Sequence, residues 1–287
     1  MKKQHICYCV DKGFEKYALA SIISLFMNSK IKNPIIHIIH NKFTDKKKLK
    51  LAEKLFKKKF KYYLTDDSLF YGLPVLGGYS AYYRLLVPDL LSKKISTALY
   101  LDCDTIIEDD ISSIFSFNLE KHALAAVEDV VMIKSDFKSV KKRLKIPQKN
   151  SYFNSGVILM NLDFMRRISS SKKVINYLKK NIKNIVMHDQ DGLNGVFYDK
   201  WIKLPEEYNY VISFDLFHSK LKKPKIIHFA GFKPEMVKVI NPGNYYSKKY
   251  FEYLDMVNFP KDELKKEDVI KFFKRAYKAL FETGFFF

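Results

Sequence analysis

Cysteine is scarce in this chain: three residues among 287, an odd and small number that excludes a disulfide framework. Cys7 and Cys9 alternate along an expected first strand and Cys103 stands between two aspartates, with no second pair at zinc-site spacing. The three read as small apolar fillers in a reducing compartment. Long apolar runs are missing too. No stretch approaches the roughly 20 residues of a membrane-spanning helix. The first residues, MKKQHICYCV, enter a strand-like segment without a signal-peptide core or cleavage site, so a cytosolic location is expected. There is no internal repeat, no low-complexity linker, and no helix-turn-helix, zinc-finger or RRM signature to favour nucleic acid as a partner.

Acidic residues are outnumbered: 31 Asp and Glu face 51 Lys and Arg, a formal charge of +20. Such an excess fits a polyanionic partner, whether nucleic acid, an anionic membrane or a phosphorylated substrate. Most of it is lysine on amphipathic stretches such as DKKKLKLAEKLFKKK, residues 45–59. The 47% apolar content leaves ample material for a core, in one large α/β domain or two smaller ones.

The pattern of elements is alternating. Residues 5–10 read as a strand, followed by a helix over about 14–27 with Ala18, Leu19, Ile22, Ile23 and Phe26 on one face. IIHII (35–39) is a second strand, and Thr44 is placed to cap a helix beginning at Asp45. FKYYL (60–64) is a third strand. A turn-rich GLPVLGG (72–78) then leads to a helix around AYYRLL (81–86), and ALYL (98–101) is the next strand. Alternation of this kind predicts a mostly parallel sheet that binds ligands outside the carboxyl ends of its strands.

At such an end stand Asp102 and Asp104. Two carboxylates one residue apart repel each other, and a divalent cation relieves the repulsion. Hard oxygen ligands suit Mg²⁺ or Mn²⁺, which in turn bind phosphate oxygens. A plain turn with solvated aspartates is the alternative.

Four motifs in order, YLDCD (100–104), YFNSGVILMNL (152–162), HDQDGLNGVF (188–197) and HFAGFKP (228–234), resemble glycosyltransferase family 8. This retaining family includes bacterial lipopolysaccharide galactosyl- and glucosyltransferases and glycogenin, and the similarity runs from about Ile6 to Pro234. It implies a GT-A fold over residues 1–240, with 241–287 a basic, aromatic C-terminal segment. It also implies a donor, UDP-glucose or UDP-galactose, a Mn²⁺ or Mg²⁺ ion, and a glycolipid or oligosaccharide acceptor.

Residue by residue, Asp102, Asp104 and His228 match the family's metal ligands. Cys9, Asp11 and Phe14 lie where it binds the nucleotide, with Asp11 facing the uracil or ribose and Phe14 stacking on the base. Arg84 matches an arginine that contacts the donor, though a surface salt bridge on a helix is its structural alternative. Cys103 belongs to the aspartate motif, and Gly156 to a motif that lets backbone approach closely. Asp129, Asn154, Asp189 and Gln190 match positions around the transferred sugar. Asp191 belongs to the same motif as Gln190, and His188 reads as a neighbour and not a ligand. Gly231 and Lys233 match the diphosphate-binding motif with a departure. One residue separates them where the family usually has two, and Glu235 stands in place of a tryptophan.

From Asp268 onward, Val269, Phe272, Phe273, Ala276, Tyr277 and Leu280 recur at helical spacing with basic residues between them. That profile predicts a helix in an anionic membrane interface, on the inner face of the cytoplasmic membrane, unless the aromatic face packs on its own domain. Two other functions are compatible with parts of the sequence. A nucleotide-sugar pyrophosphorylase also uses metal-binding aspartates, but would begin with a glycine-rich loop that CYCVDKG (7–13) does not supply. A non-catalytic polyanion- or membrane-binding protein accounts for the charge and leaves the aspartates and His228 unexplained.

Overall fold

The computed structural model describes residues 3–75, 78–129, 137–212, 223–260, 267 and 270. The strands are β1 (His5–Val10), β2 (Ile35–His40), β3 (Lys61–Leu64), β4 (Thr97–Leu101), β5 (Thr105–Ile107), β6 (Leu124–Glu128), β7 (Phe153–Asn161), β8 (Trp201–Lys203), β9 (Tyr210–Val211) and β10 (Ile226–His228). The helices are α1 (Glu15–Asn28), α2 (Lys46–Phe56), α3 (Ser80–Tyr83), α4 (Val87–Leu90), α5 (Phe137–Arg143), α6 (Leu162–Arg167), α7 (Ser170–Lys180), α8 (His188–Phe197), α9 (Pro234–Ile240) and α10 (Tyr245–Asp255).

The main sheet has the order β3-β2-β1-β4-β7-β6-β8. Pairings β1–β2, β2–β3, β1–β4 and β6–β8 are parallel, and only those made by β7 are antiparallel. The mostly parallel sheet expected from alternation is therefore present, with one reversed strand near its middle. Reversal has a consequence for position: the amino end of β7 lies at the carboxyl ends of β4 and β6. Leu101 pairs with Val157 and Glu128 with Phe153. Asn154, Ser155 and Gly156 are thereby set beside Asp102 and Asp129, far away in sequence.

A second sheet, β5-β10-β9, stands at that same end. β10 runs antiparallel to β5 with His228 opposite Thr105, and the Phe229 N–H donates to the Asp104 carbonyl at 2.9 Å. This register delivers His228 to the aspartates.

Both faces of the main sheet are covered. α1 buries Ala18, Leu19, Ile22 and Ile23 with the side chains of β1 and β4 that point its way, while Phe26 stacks on Phe56 of α2. On the other face α7 and α8 pack closely. A Cβ at Gly192 would come within 2.7 Å of Leu178, and one at Gly195 within 2.1 Å of the Tyr177 ring. Two glycines three residues apart thus permit the α7–α8 approach that fixes the direction of α8.

Two local expectations change. The cap of α2 is Asp45, whose carboxylate accepts from Lys47 N at 3.0 Å. Thr44 donates its hydroxyl to the Val10 carbonyl instead, tying the helix entrance to β1. The helix expected over 81–86 breaks into α3, a 3₁₀ turn at Arg84–Leu86 and then α4. Pro88 follows this turn and has no N–H to continue it. Of the C-terminal segment, α10 packs Tyr250, Phe251 and Leu254 into the core that α1 shares. The helical pattern from Asp268 lies outside the described residues except for Ile270.

Candidate functional site

β4 ends at Leu101 and the chain turns, so Asp102 and Asp104 face one crevice. One ligand atom from each of Asp102, Asp104 and His228 lies within 4.8 Å of the others. The His228 Nε2 is 3.4 Å from Asp104 Oδ1 and 3.6 Å from Asp102 Oδ2. Gly156 closes the floor: a Cβ there would lie 2.2 Å from His228 Cε1 and 2.9 Å from Asp102 Oδ2. Two carboxylates and an imidazole nitrogen form a donor set that accepts Mn²⁺ or Mg²⁺.

The orientation of the imidazole is set by a relay of side chains. Asp129, buried after β6, offers its carboxylate Oδ2 to Asn154 Nδ2 at 3.0 Å and to Gln190 Nε2 at 2.9 Å. A carboxylate only accepts, so each amide must turn its nitrogen toward it. Asn154 Oδ1 is then left to accept from Gly156 N at 2.9 Å and from Asn209 Nδ2 at 2.8 Å. Asn209 consequently presents its Oδ1 to His228 Nδ1, 2.9 Å away. That bond requires a proton on Nδ1 and aims Nε2 at the aspartates. Metal-binding histidines are commonly held this way by their second nitrogen.

Arg84 joins the aspartates to α8. Its Nη2 is 2.8 Å from Asp102 Oδ1 and its Nε 3.1 Å from Asp189 Oδ2. Nη1 donates to the Ser155 carbonyl and hydroxyl, and the guanidinium lies over the Tyr100 ring at 4.5 Å. It is almost wholly buried, so the surface salt bridge weighed from sequence is replaced by an internal one. Tyr100 adds a hydrogen bond to Asp102 Oδ1 at 2.6 Å. Burial pushes the Asp189 carboxyl up to about 6, against the opposing pull of Arg84. Asp104 goes the other way: burial would raise it, but Lys233 and His228 together hold it well below the usual carboxylate range.

Gln190 is held at both ends, its Oε1 accepting from Ser155 N at 2.9 Å while its amide reaches Asp129. Asp191 points away from the crevice. It accepts from Tyr152, from the amides of Val186 and Met187 and from Arg143, which fixes the loop entering α8. His188 sits edge-on to Tyr82 and apart from the aspartates, with left-handed backbone at φ 48°.

Beyond β1, Asp11 is buried and its Oδ1 has no hydrogen-bond partner among the described residues. Phe14 is half-buried against Tyr17, and Lys233 extends over both rings to pair with Asp104. Gly231 makes the left-handed turn, φ 79°, that starts this loop. Cys9 and Cys103 are buried, and the Cys103 thiol donates to the Cys9 carbonyl at 3.0 Å. Sequence reasoning passed over Asn209, Ser155 and Tyr100. Tyr100 and Ser155 lie inside the motifs quoted above, whereas Asn209 carries no local signal.

Comparison with known proteins adds the lineage. The family model described as Glycosyl transferase family 8 matches residues 5–234. Lipopolysaccharide 1,2-glucosyltransferase of Escherichia coli K12 is 30% identical over 296 residues, covering 96% of this chain and 85% of that protein. General stress protein A of Bacillus subtilis is 26% identical over 272 residues, covering 87% and 92%. Among solved structures, the galactosyltransferase LgtC in complex with donor and acceptor sugar analogs superposes with a TM-score of 0.78 at 17% identity. It covers 90% of this chain and 98% of that one, a match that shows the GT-A fold.

Proposed function

The chain belongs to glycosyltransferase family 8 and is a retaining glycosyltransferase, and on that premise we propose that it moves glucose or galactose from a UDP-sugar to a hydroxyl of a bacterial glycan. The observation that carries the reading is the closeness of Asp102, Asp104 and His228, joined by Arg84 and by the Asp129–Asn154–Asn209 relay to Asp189 and Gln190.

Asp102, Asp104 and His228 would hold a divalent cation, Mn²⁺ or Mg²⁺. When bound, such an ion neutralises charge on a departing diphosphate. The remaining work belongs to side chains. The unsatisfied Oδ1 of Asp11 accepts a hydrogen bond from the nucleoside, and the Phe14 ring stacks on its base. Lys233 turns its ammonium to the diphosphate, where a fixed positive charge favours bond breaking. Asp189, Asp129 and Asn154 bind hydroxyls of the hexose. The bond from the anomeric carbon to the diphosphate oxygen breaks as the acceptor oxygen bonds to that carbon from the same face. The acceptor's proton passes to the leaving diphosphate. Gln190 lines the opposite face, and an amide engaged at both ends is a poor nucleophile, which favours front-side attack over a covalent intermediate.

A lipopolysaccharide core or related glycolipid is the acceptor we favour, by analogy with the relatives named for lipopolysaccharide glycosyl transfer. The +20 charge and the aromatic, basic spacing after Asp268 support peripheral attachment to an anionic membrane on its cytoplasmic side. No helix among the described residues is long and apolar enough to cross a membrane.

The deciding experiment measures UDP release from a panel of UDP-sugars with Mn²⁺ and with chelator. Slow, metal-dependent hydrolysis of one sugar is expected and names the donor. Absence of release together with absence of calorimetric UDP–Mn²⁺ binding would refute the assignment. Removing residues 263–287 should weaken binding to anionic vesicles and spare UDP-sugar hydrolysis; undiminished vesicle binding would remove the tail from the account.

A further inference from the structure

We propose that Glu235, through a buried ion pair with Lys16, is a positioning residue that holds Lys233 in register with the diphosphate subsite; this rests on the function proposed above. Glu235 follows Lys233 by two residues, in the first turn of α9. Its Oε1 is 2.7 Å from Lys16 Nζ and its Oε2 accepts from the Tyr17 hydroxyl at 3.2 Å. Both charged side chains are mostly buried, Glu235 at 7% and Lys16 at 17% exposure.

Such a pair is poorly explained by stability. Removing two charges from water costs about what their attraction returns, and apolar side chains of the same volume would often serve as well. What an ion pair supplies in addition is direction. Lys16 and Tyr17 are on α1, directly after Phe14, so Glu235 ties the loop that carries Lys233 to the helix that begins at the expected base-binding ring. A second tie holds the same turn: the wholly buried Ser247 of α10 donates its hydroxyl to the Pro234 carbonyl at 2.8 Å. The Lys233 side chain is tied at its tip, through its ammonium, to Asp104. That ammonium, on a flexible four-carbon stem, lies 5.2 and 5.9 Å from the centroids of the Phe14 and Tyr17 rings, and the side chain is 28% exposed. The backbone under it must therefore be held for the ammonium to stay within reach of Asp104. Tyr17 serves both ends, touching the Glu235 carboxylate with its hydroxyl and Lys233 with its ring.

A double-mutant cycle tests this. Affinity for UDP with Mn²⁺, affinity for uridine, and kcat and KM for UDP-sugar hydrolysis are measured on the full chain. The set comprises wild type, Glu235→Ala, Lys233→Ala and the double variant. Glu235→Ala should weaken UDP about tenfold and leave uridine unchanged, since only the diphosphate loses a partner. In the Lys233→Ala background the same change should have no further effect on UDP. Should Glu235→Ala fail to fold, Glu235→Gln and Lys16→Met carry the same cycle, because each removes the ion pair and keeps the bulk. Equal losses for UDP and uridine, or losses that add in the double variant, would show Glu235 to be ordinary packing and overturn the inference. A wild-type protein that bound neither ligand would refute the underlying functional reading, and the inference with it.

Discussion

Replacing Gly156 with alanine adds one methyl group at the point where β7 passes under the proposed metal site. The new Cβ would lie 2.2 Å from His228 Cε1, 2.7 Å from His228 Nδ1 and 2.9 Å from Asp102 Oδ2. Carbon atoms settle at about 3.5 Å or more, so over 1 Å of displacement must be found somewhere. The backbone is poorly placed to give way. Gly156 O accepts from Asp102 N at 2.8 Å, and Gly156 N donates to Asn154 Oδ1 at 2.9 Å. The imidazole must therefore move, straining its 2.9 Å bond to Asn209 and the aim of Nε2. Metal–ligand distances tolerate only about 0.2 Å, and disturbing the support of a ligand typically weakens metal affinity by roughly 10–100-fold. Overpacking should also cost on the order of 1–3 kcal/mol of stability. The control is Gly195→Ala, whose Cβ would lie 2.1 Å from the Tyr177 ring, a similar overlap between α7 and α8. The assay is UDP release against Mn²⁺ concentration, with denaturant unfolding of both variants. Gly156→Ala should raise the half-maximal Mn²⁺ concentration at least tenfold, whereas Gly195→Ala should lose stability and keep the wild-type midpoint. Equal midpoints in the two variants would refute the placement of the ion between Asp102, Asp104 and His228.

Three further outcomes are expected. Asn209→Leu keeps approximate volume and removes the acceptor that holds a proton on His228 Nδ1, so Mn²⁺ affinity should fall about tenfold, and the buried donor left unpaired should cost roughly 1–3 kcal/mol in denaturant unfolding; unaltered affinity would disprove the relay. Arg84→Lys retains charge but cannot make the forked contacts to Asp102, Asp189 and Ser155, and should cost about 2–3 kcal/mol in denaturant unfolding and more than tenfold in kcat/KM; a wild-type profile would contradict the internal bridge. The Asp189 carboxyl, raised to about 6 by burial, takes up a proton as pH falls through that value, so kcat/KM for the donor should decline on the acid side of pH 6. Asp189→Asn should be slow and lack that acid limb, and an identical limb in the variant would assign it to another group.

Much of the architecture was legible because it depends on short-range patterns. Apolar periodicity located α1, β2 and β4 to within a residue or two, and ordered motifs pointed to the family. Errors came where neighbours compete for one role. Thr44 and Asp45 are both good caps, and the choice fell to Asp45 because the Thr44 hydroxyl reaches back to the Val10 carbonyl. Arg84 read from sequence as a helix-surface cation or a donor contact; its burial follows from Tyr100, Asp102, Ser155 and Asp189 converging on it from three other elements.

Residue order alone determined that two aspartates end a core strand and that a mostly parallel sheet would hold them, since strand period and turn chemistry are local properties of the chain. Tertiary structure decided what surrounds them. Reversal of β7 sets Asn154 and Gly156 against Asp102, and the β5–β10 register delivers His228 opposite Thr105. Asn209, which no motif marks, then determines which nitrogen of that histidine faces the aspartates. A hydrogen-bond relay depends on the relative positions of groups tens of residues apart in sequence, and only the assembled sheets fix those positions.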